Sequence, residues 1–244
     1  MTLEPRTAIV TGAARRIGRC IAEALLADGW TVIAHCRRDG DPVPDGVIGV
    51  AAELSDPDCA NRIFAAAEGH APVRLLVNNA ARFAPDSLVD FDSGELDRHM
   101  AVNLRAPVLL TQALAERHAG GDAVVVNLLD AKLSAPNADF LSYTLSKQAL
   151  AGFTDVAARA LAPAGIRVNG VAPALMLRSP GQDENNFAAM HACNPLGRGV
   201  GAADVIAALR YLVDAATVTG QVITIDGGHR FWSLPRDVQF LERT

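Results

Sequence analysis

The stretch that decides the fold is Thr7–Gly18, with the sequence TAIVTGAARRIG. Its first part, Thr7–Thr11, is short and almost wholly apolar, which is typical of a buried strand. The turn that follows contains Gly12 and Gly18, and Ile17–Leu26 then has the apolar spacing of a helix. A strand, a glycine-containing turn and a helix N-terminus present free N–H groups to a pyrophosphate, so the stretch predicts a nucleotide-binding unit. The alternative is an ordinary strand-to-helix turn.

The alternation of short apolar runs with longer amphipathic segments continues along the chain. The other predicted strands are Thr31–His35, Val47–Val50, Leu75–Asn78, Ala123–Leu128, Arg167–Val171 and Val222–Ile225. The other predicted helices are one that is capped by Ser55 and Asp56 and runs to about Glu68, and then Ser93–Arg117, Tyr143–Leu161 and Ala202–Leu212. Strands that alternate with helices predict an α/β fold, a Rossmann-type doubly wound parallel sheet with helices on both faces.

The domain organisation follows from the absence of breaks in composition. Neither a composition shift nor a flexible linker divides the 244 residues, so we expect a single domain over residues 1–244. The segments Arg37–Gly46 and Leu175–Gly201 are expected to be irregular. The tail at 229–244, which carries Phe231 and Trp232, has no role that the sequence assigns.

Charge, hydropathy and cysteine usage exclude several classes of function. A net charge of −5 gives no support for nucleic-acid binding. No apolar run approaches the roughly 20 residues that span a bilayer, so no membrane partner is expected. The four cysteines lie far apart and lack the spacing of zinc ligands, so we expect reduced thiols, no metal site and a cytoplasmic location.

The residues at the end of the second predicted strand indicate the cofactor. This strand ends at His35, followed by Cys36, Arg37 and Arg38. A site for NAD usually has an acidic residue here to bind the ribose 2′-hydroxyl, whereas arginine accommodates a 2′-phosphate. The pair therefore predicts NADPH; the alternative is a solvated pair of charges in a loop.

Tyr143 and Lys147 form the predicted reactive pair. They lie four residues apart and so share one face of a helix. A tyrosine whose pKa is near 10 exchanges protons slowly at neutral pH. We expect the neighbouring ammonium to lower the pKa of Tyr143 and make proton transfer feasible.

Over about Thr7 to Gly228 the chain resembles the short-chain dehydrogenase/reductase family. The matching motifs are Thr11–Gly18, Asn78-Asn79-Ala80, Asn103, Tyr143 with Lys147, Asn169 with Pro173, and Thr219-Gly220 to Asp226-Gly227-Gly228. The resemblance implies that Tyr143 donates a proton, while Lys147 holds the cofactor ribose and lowers the pKa of the tyrosine. It also implies that Asn103 supports a proton relay through water, and that Asn78-Asn79-Ala80 stabilises the sheet beside the cofactor.

Two departures from the family pattern indicate a branch of the family. Asp130 stands thirteen residues before Tyr143, where the family normally has serine, and Arg16 replaces the middle glycine of the loop. Both changes resemble the pteridine reductase and dihydromonapterin reductase branch, and so does Phe83, an aromatic residue that stacks on the pterin ring in that branch. The alternatives are a drifted serine position, a plain apolar pocket residue at Phe83, and an Arg16 that serves only the cofactor phosphate.

The chemistry of these residues favours reduction of a C=N bond in a dihydropterin. A serine hydroxyl suits a carbonyl because it hydrogen-bonds the developing oxyanion. An aspartate repels an oxyanion, but it accepts hydrogen bonds from amino and ring N–H groups or moves a proton to a ring nitrogen. Phe83 supplies a flat face opposite the nicotinamide, and Arg16 reaches both phosphate and pterin.

The expected site combines catalytic, cofactor and substrate contacts. The predicted catalytic residues are Tyr143, Lys147, Asp130 and Asn103. The predicted cofactor contacts are Gly12, Arg15, Arg16, Ile17, Gly18, His35, Arg37, Arg38, Leu54, Asn79, Ala80, Tyr143, Lys147 and Pro173, and the predicted substrate contacts are Arg16, Phe83, Asp130 and Tyr143. The resemblance also implies a homodimer or homotetramer packed through Ser93–Arg117 and Tyr143–Leu161. The alternative functions are a carbonyl or other small-molecule reductase and a non-catalytic NADPH-binding regulator.

Overall fold

A parallel sheet forms the centre of the protein. The computed structural model describes residues 4–178, 182–232 and 234–241. Within these ranges the sheet has seven strands in the order β3-β2-β1-β4-β5-β6-β7, and all the pairings are parallel. The strands are β1 (Thr7–Val10), β2 (Thr31–Cys36), β3 (Ile48–Ala51), β4 (Val73–Asn78), β5 (Ala123–Leu128), β6 (Ile166–Pro173) and β7 (Val222–Ile225). The predicted doubly wound parallel sheet is confirmed.

Helices cover both faces of this sheet. They are α1 (Arg16–Ala27), α2 (Cys59–Ala65), α3 (Ser93–Met100), α4 (Ala106–Arg117), α5 (Leu141–Leu161), α6 (Glu184–His191) and α7 (Ala202–Asp214). Alternate strand residues point to opposite faces, so the sheet has two cores. Ile9 and Leu76 pack with residues of α2, α4 and α5 on one face, whereas Val10 and Val77 pack with residues of α1 and α7 on the other. Burial on both faces explains the nearly continuous apolar runs of the strands.

The second helix begins later and ends earlier than predicted. Ser55 and Asp56 do not cap it, because α2 begins at Cys59 and its N-cap residue, Asp58, makes no side-chain capping bond. Pro57 disfavours helical backbone at the preceding residue. The Asp56 side chain instead accepts the N–H of Asp58 at 2.9 Å, which stabilises a turn. The predicted helix over 55–68 is therefore wrong at both ends, since α2 stops at Ala65.

The segment Leu175–Gly201, expected to be irregular, contains the helix α6. Its N-cap residue Asp183 accepts the N–H groups of Asn185 and Asn186 at 2.9 and 3.1 Å. The helix has eight residues, and Met190 alone among them is buried, so its sequence lacks a marked apolar stripe. Residues 179–181 of this segment, and 233 and 242–244 of the C-terminal tail, lie outside the described residues.

A widened helical turn interrupts the long helix predicted at Ser93–Arg117. Residues Ala101–Arg105 form a π-type turn between α3 and α4. Pro107 has no N–H with which to bond the carbonyl four residues earlier, that of Asn103. Such turns occur often at functional sites, and this one carries the predicted catalytic Asn103.

No helix in the described ranges combines the length and the apolar character that crossing a bilayer requires.

We expect Arg167 to be a major stabilising residue of the sheet. This buried β6 side chain donates to the carbonyls of Leu212 and Val213 in the last turn of α7, at 2.6 and 3.0 Å, and to Asp122 at 2.9 Å. Arg167→Met removes these bonds but keeps much of the apolar stem. It should lower the free energy of unfolding by about 1.5–3 kcal/mol in urea titrations, the usual range for a lost hydrogen bond to a charged group.

The matched control for that measurement is Arg159→Met. Arg159 pairs with Asp155 on the surface of α5 at 3.1 Å, and 76% of its side chain is exposed. Exposed pairs contribute little, so its loss should be much smaller. Equal losses in the two variants would show that the contacts of Arg167 with the end of α7 do not stabilise the fold.

Candidate active site

The turn between β1 and α1 is tightly packed. Gly12 has a φ of 67°, in the left-handed region that suits glycine. A side chain at Gly18 has no room, because its Cβ would lie 2.2 Å from the carbonyl oxygen of Gly12. The turn therefore brings the start of α1, with its unpaired N–H groups, close against the end of β1. Arg16, in the place of the family's middle glycine, also has a positive φ, 53°.

Thr11 and Asn79 join the ends of β1 and β4. The Asn79 amide nitrogen donates to the carbonyl oxygen of Thr11 at 2.7 Å. The Thr11 hydroxyl accepts the backbone N–H groups of Asn79 and Ala80 at 2.9 and 3.0 Å. Behind them, the Asn78 side chain donates to the Asn127 side chain on β5 at 2.8 Å. The Asn78-Asn79-Ala80 segment thus links three adjacent strands at the edge of the cleft.

His35 connects β2 to the glycine turn. Its Nδ1 accepts the N–H of Gly12 at 3.1 Å, and its Nε2 lies 2.9 Å from the carbonyl oxygen of Ala52. A carbonyl only accepts, so Nε2 carries the proton and the ring is neutral. Burial lowers the pKa of His35, against the smaller opposing effects of Ala52 and Glu53. A proton on Nδ1 would place two donors, this N–H and that of Gly12, against each other and break their hydrogen bond.

Arg37 and Arg38 lie at the far end of the cleft, beyond β2. Arg37 Nε contacts Glu53 Oε2 at 2.7 Å, and 65% of the arginine side chain is exposed. The backbone N–H of Arg38 donates to Asp41 at 3.1 Å. Both arginines line the cleft together with Leu54. Two guanidinium groups on one wall provide the charge and the planar donors that a phosphate requires.

Tyr143 and Asp130 are hydrogen-bonded within the cleft. The Tyr143 hydroxyl donates to Asp130 Oδ2 at 2.9 Å, while Asp130 Oδ1 accepts the N–H of Lys132 at 2.8 Å. Burial, and next the nearby carboxylate of Asp130, raise the pKa of Tyr143 well above its usual value. Burial also raises the pKa of Asp130. The expectation of a lowered tyrosine pKa is therefore wrong in this structure, because burial and Asp130 act in the opposite direction.

Lys147 and Asn103 lie behind this pair. Lys147 Nζ donates to the carbonyl oxygen of Leu128 at 2.6 Å, and burial lowers the pKa of the lysine to about 8. The Asn103 side chain accepts the N–H of Arg82 at 2.7 Å and donates to the Arg82 carbonyl at 3.0 Å and the Ser146 hydroxyl at 2.9 Å. The π-type turn thus joins Asn103 both to the segment after β4 and to α5.

Phe83 belongs to a group of aromatic rings. It stacks on Phe140 with the ring centres 4.4 Å apart and makes a perpendicular contact with Tyr143, the ring centres 4.7 Å apart. Arg16 Nη1 donates to the carbonyl oxygen of Arg178 at 3.2 Å, so its side chain reaches the segment after β6. The predicted substrate contacts Arg16, Phe83, Asp130 and Tyr143 all line the same cleft.

The cleft follows the carboxyl ends of the strands and encloses about 990 Å³. Its lining includes these predicted cofactor contacts: Gly12, Arg15, Arg16, Ile17, Gly18, His35, Arg37, Arg38, Leu54, Asn79, Ala80, Tyr143 and Pro173. A helix N-terminus at one point and arginines at another match the charges of a dinucleotide that carries a further phosphate. The residues present therefore fit NADPH. Of the predicted site residues, Lys147 and Asn103 are buried behind the lining.

The stacked rings of Phe83 and Phe140 form an aromatic wall of the cleft. Three residues of the cleft and this wall were not predicted from the sequence. Lys132 and Asp237 line the cleft, and Phe140 stacks on Phe83. No motif marks them, although Lys132 follows Asp130 by two residues. Among the described residues, no group of three or more His, Cys, Asp or Glu side chains is arranged to hold a metal ion.

Comparison with known proteins matches this chain to several reductases. A family model described as enoyl-(acyl carrier protein) reductase matches residues 12–230. Pteridine reductase 1 of Leishmania tarentolae is 32% identical over 94% of this chain and 98% of that protein. L-xylulose reductase of Bos taurus is 33% identical over 93% and 98%. The crystal structure of FolM alternative dihydrofolate reductase 1 from Brucella canis, complexed with NADP, superposes with a TM-score of 0.86 at 35% identity, covering 95% of this chain and 96% of that one.

The buried His35 predicts a loss of stability in mild acid. Its pKa is lowered in the folded protein, so the unfolded chain takes up the proton first, at about pH 6.5. The contribution of neutral His35 is complete above that pH and is lost as the pH falls through the folded pKa. Urea unfolding of the wild type should therefore show stability that declines as the pH falls below about 6.5, and His35→Gln should decline less steeply.

His70→Gln is the control, since His70 is exposed in the turn before β4. It should follow the wild-type pH dependence. If His35→Gln also follows it, the bond between Gly12 and His35 is not the cause of the acid sensitivity.

Proposed function

The chain belongs to the short-chain dehydrogenase/reductase family and is an NADP-dependent reductase, and we propose that it reduces a pterin-like substrate, a dihydropterin, to the tetrahydropterin. The observation that carries the proposal is the hydrogen bond of 2.9 Å between the Tyr143 hydroxyl and Asp130 Oδ2. It puts an aspartate beside the proton-donating tyrosine, where a ketone reductase benefits from a neutral hydroxyl.

Asp130 suits a nitrogen heterocycle better than a carbonyl. Its carboxylate accepts hydrogen bonds from N–H groups, which pterins carry and ketones lack. A carboxylate next to a developing oxyanion is repulsive. Burial raises the pKa of Asp130, which favours a carboxyl group that takes up a proton and passes it on. The pair Asp130–Tyr143 is therefore suited to delivering a proton to a ring nitrogen.

The roles of the other residues follow from their positions around the cleft. When bound, NADPH supplies the hydride for the ring carbon of the C=N bond. The turn Gly12–Gly18 would hold its pyrophosphate, and Arg37 and Arg38 its 2′-phosphate. The family pattern assigns the nicotinamide ribose to Lys147, which lies buried behind the cleft lining. Tyr143, kept protonated by its raised pKa, donates a proton to the substrate directly or with Asp130 and a relayed water.

The substrate would lie between Phe83 and the nicotinamide, oriented by Arg16 and Asp130. Aromatic stacking contributes about 0.5–1.5 kcal/mol beyond burial. Two relatives support this assignment, since one is named a pteridine reductase and one an alternative dihydrofolate reductase. Asn103, bonded to Arg82 and Ser146, would support the relay of protons behind Tyr143.

A ketone reductase is the second candidate. L-xylulose reductase and a carbonyl reductase match at 33% and 31% identity over most of the chain. A non-catalytic regulator is less well supported, because the Tyr143 hydroxyl, the Lys147 ammonium and the Asn103 amide are all retained.

We further propose that the protein is cytoplasmic and forms a homodimer or homotetramer. The subunits would pack through α3–α4 and α5, since Leu145 and Val156 on α5 are exposed apolar residues.

Tyr143→Phe tests the role of the hydroxyl. It removes the proton donor and should lower kcat by about 10²–10⁴-fold, the usual contribution of general acid catalysis. NADPH binding, measured by the change in its fluorescence, should persist because the ring remains. Tyr211→Phe is the matched control, since Tyr211 is an exposed residue of α7. Substantial residual turnover by Tyr143→Phe would contradict the proposed role.

Asp130→Ser tests the substrate. NADPH oxidation is followed spectrophotometrically with a dihydropterin, with a panel of simple ketones, and with NADH as the control cofactor. The variant should lose about 100-fold in kcat/KM for the dihydropterin, because the proton-passing carboxyl is gone, and should gain activity on a ketone. Asp130→Asn, which keeps the shape without the ionisable group, should lose the first activity without gaining the second. Wild-type turnover of ketones without dihydropterins would overturn the pterin assignment.

A further inference from the structure

The C-terminal residues Leu234–Leu241, here named the strap, return to the cleft of their own chain. Arg236 contacts both carboxylate oxygens of Asp139, from Nε at 3.0 and 2.9 Å. The backbone N–H of Asp237 donates to the same carboxylate at 2.7 Å. Asp139 lies in the connection between β5 and α5, just before Phe140. The strap is thus bonded to the segment that carries Asp130 and Lys132.

A second set of bonds joins the strap to α6. The Asn186 amide nitrogen donates to the carbonyl oxygens of Val238 and Leu241, at 3.3 and 2.6 Å. Phe240 stacks on Phe140 at 5.8 Å, and Phe140 in turn stacks on Phe83 at 4.4 Å. The strap therefore extends the aromatic wall of the substrate site and is held from two sides.

Asp237 and Lys132 form a polar pair in the lining of the cleft. Lys132 Nζ lies 3.4 Å from Asp237 Oδ2 and donates to the carbonyl oxygen of Asp139 at 2.5 Å. The two side chains are 10% and 19% exposed and both line the cleft. The charge of Asp237 acts on the reacting groups as well, since it contributes to the raised pKa values of Tyr143 and Asp130.

The pair contributes little to fastening the strap. Its separation of 3.4 Å is long beside the 2.7–3.0 Å bonds made by Asp139. A charge-assisted bond at optimal strength is about 2.7–2.9 Å. Both groups therefore retain capacity for a ligand in the cleft, a carboxylate that accepts beside an ammonium that donates.

We propose that Asp237 and Lys132 bind hydroxyl groups on the side chain of the substrate, which makes the strap a specificity element of its own protomer. A hydroxyl donates to a carboxylate and accepts from an ammonium, so two adjacent hydroxyls satisfy both members of the pair. An apolar substituent in the same place removes water from both charges and offers no bond in return. The inference rests on the proposed function, because it takes the ring that carries this side chain to be a pterin.

The test compares two substrates that differ in their side-chain hydroxyls. The ratio of kcat/KM for dihydrobiopterin, with its dihydroxypropyl group, to that for a methyl-substituted dihydropterin is measured in the wild type and in Asp237→Asn. The wild type should prefer the hydroxylated substrate, and this ratio of kcat/KM values should fall about tenfold in the variant. The substituted amide still accepts the N–H of Gln239, as the Asp237 side chain does at 3.1 Å, so the strap should remain folded.

Two further variants and a binding measurement separate recognition from a structural effect. Lys132→Met should reduce the same ratio, whereas Asp155→Asn, a surface change of equal charge on α5, should not. Calorimetric titration of the protein with NADP present should show that Asp237→Asn weakens the binding of biopterin more than that of methylpterin. A wild type without preference, or a preference that survives in Asp237→Asn, would overturn the inference and leave the proposed function standing.

The outcome in which neither dihydropterin is reduced refutes the proposed function and moves the test to ketones. Dihydroxyacetone and acetone then replace the pterin pair, with the same variants. A preference for the hydroxylated ketone that falls in Asp237→Asn supports the role of the pair, and an unchanged ratio overturns it.

Discussion

The hydrogen bonds between Thr11 and Asn79 fix the ends of β1 and β4 relative to each other, and the rest of the site depends on this arrangement. β1 and β4 are neighbours in the sheet, and the chain leaves them toward opposite sides. In open parallel sheets this reversal creates a crevice at the carboxyl ends of the strands. Because the Asn79 amide and the Thr11 hydroxyl join the two strand ends, the glycine turn and the segment leading to Phe83 have a fixed separation. The cleft lies along that separation.

The hydrogen-bonded residues Asp130 and Tyr143 lie at the same edge, one strand further on. Asp130 follows β5 and Tyr143 opens the helix that follows, and their hydrogen bond closes the connection between them. A serine here would not ionise. An aspartate instead links the ionisation of two groups. Its charge adds to burial in raising the pKa of Tyr143, whereas the hydrogen bond from Tyr143 lowers the pKa of Asp130 against the larger, opposing effect of burial. That coupling separates this site chemically from one that only polarises a carbonyl.

Much of this was predictable because it depends on local patterns. Strands buried on both faces have continuous apolar runs, and Tyr143 and Lys147 share a helix face through their spacing alone. The start of α2 was mispredicted because Pro57 and the Asp56 turn outweigh capping preference, and α6 has too few buried residues for a periodic pattern. Lys132 and Asp237 lie 105 residues apart, and no local pattern encodes such a contact. The pKa of Tyr143 depends on burial, which only the fold determines.

Arg16 combines two demands that conflict. Its backbone adopts a left-handed conformation that costs a residue with a side chain about 1–2 kcal/mol, and glycine would avoid that cost. The position nevertheless carries a guanidinium that lines the cleft and bonds to the carbonyl of Arg178. Thermodynamic stability and the proposed recognition of a ligand therefore favour different residues at this single site. Selection for a more stable protein alone would move the position toward glycine, and the cleft would lose a cation.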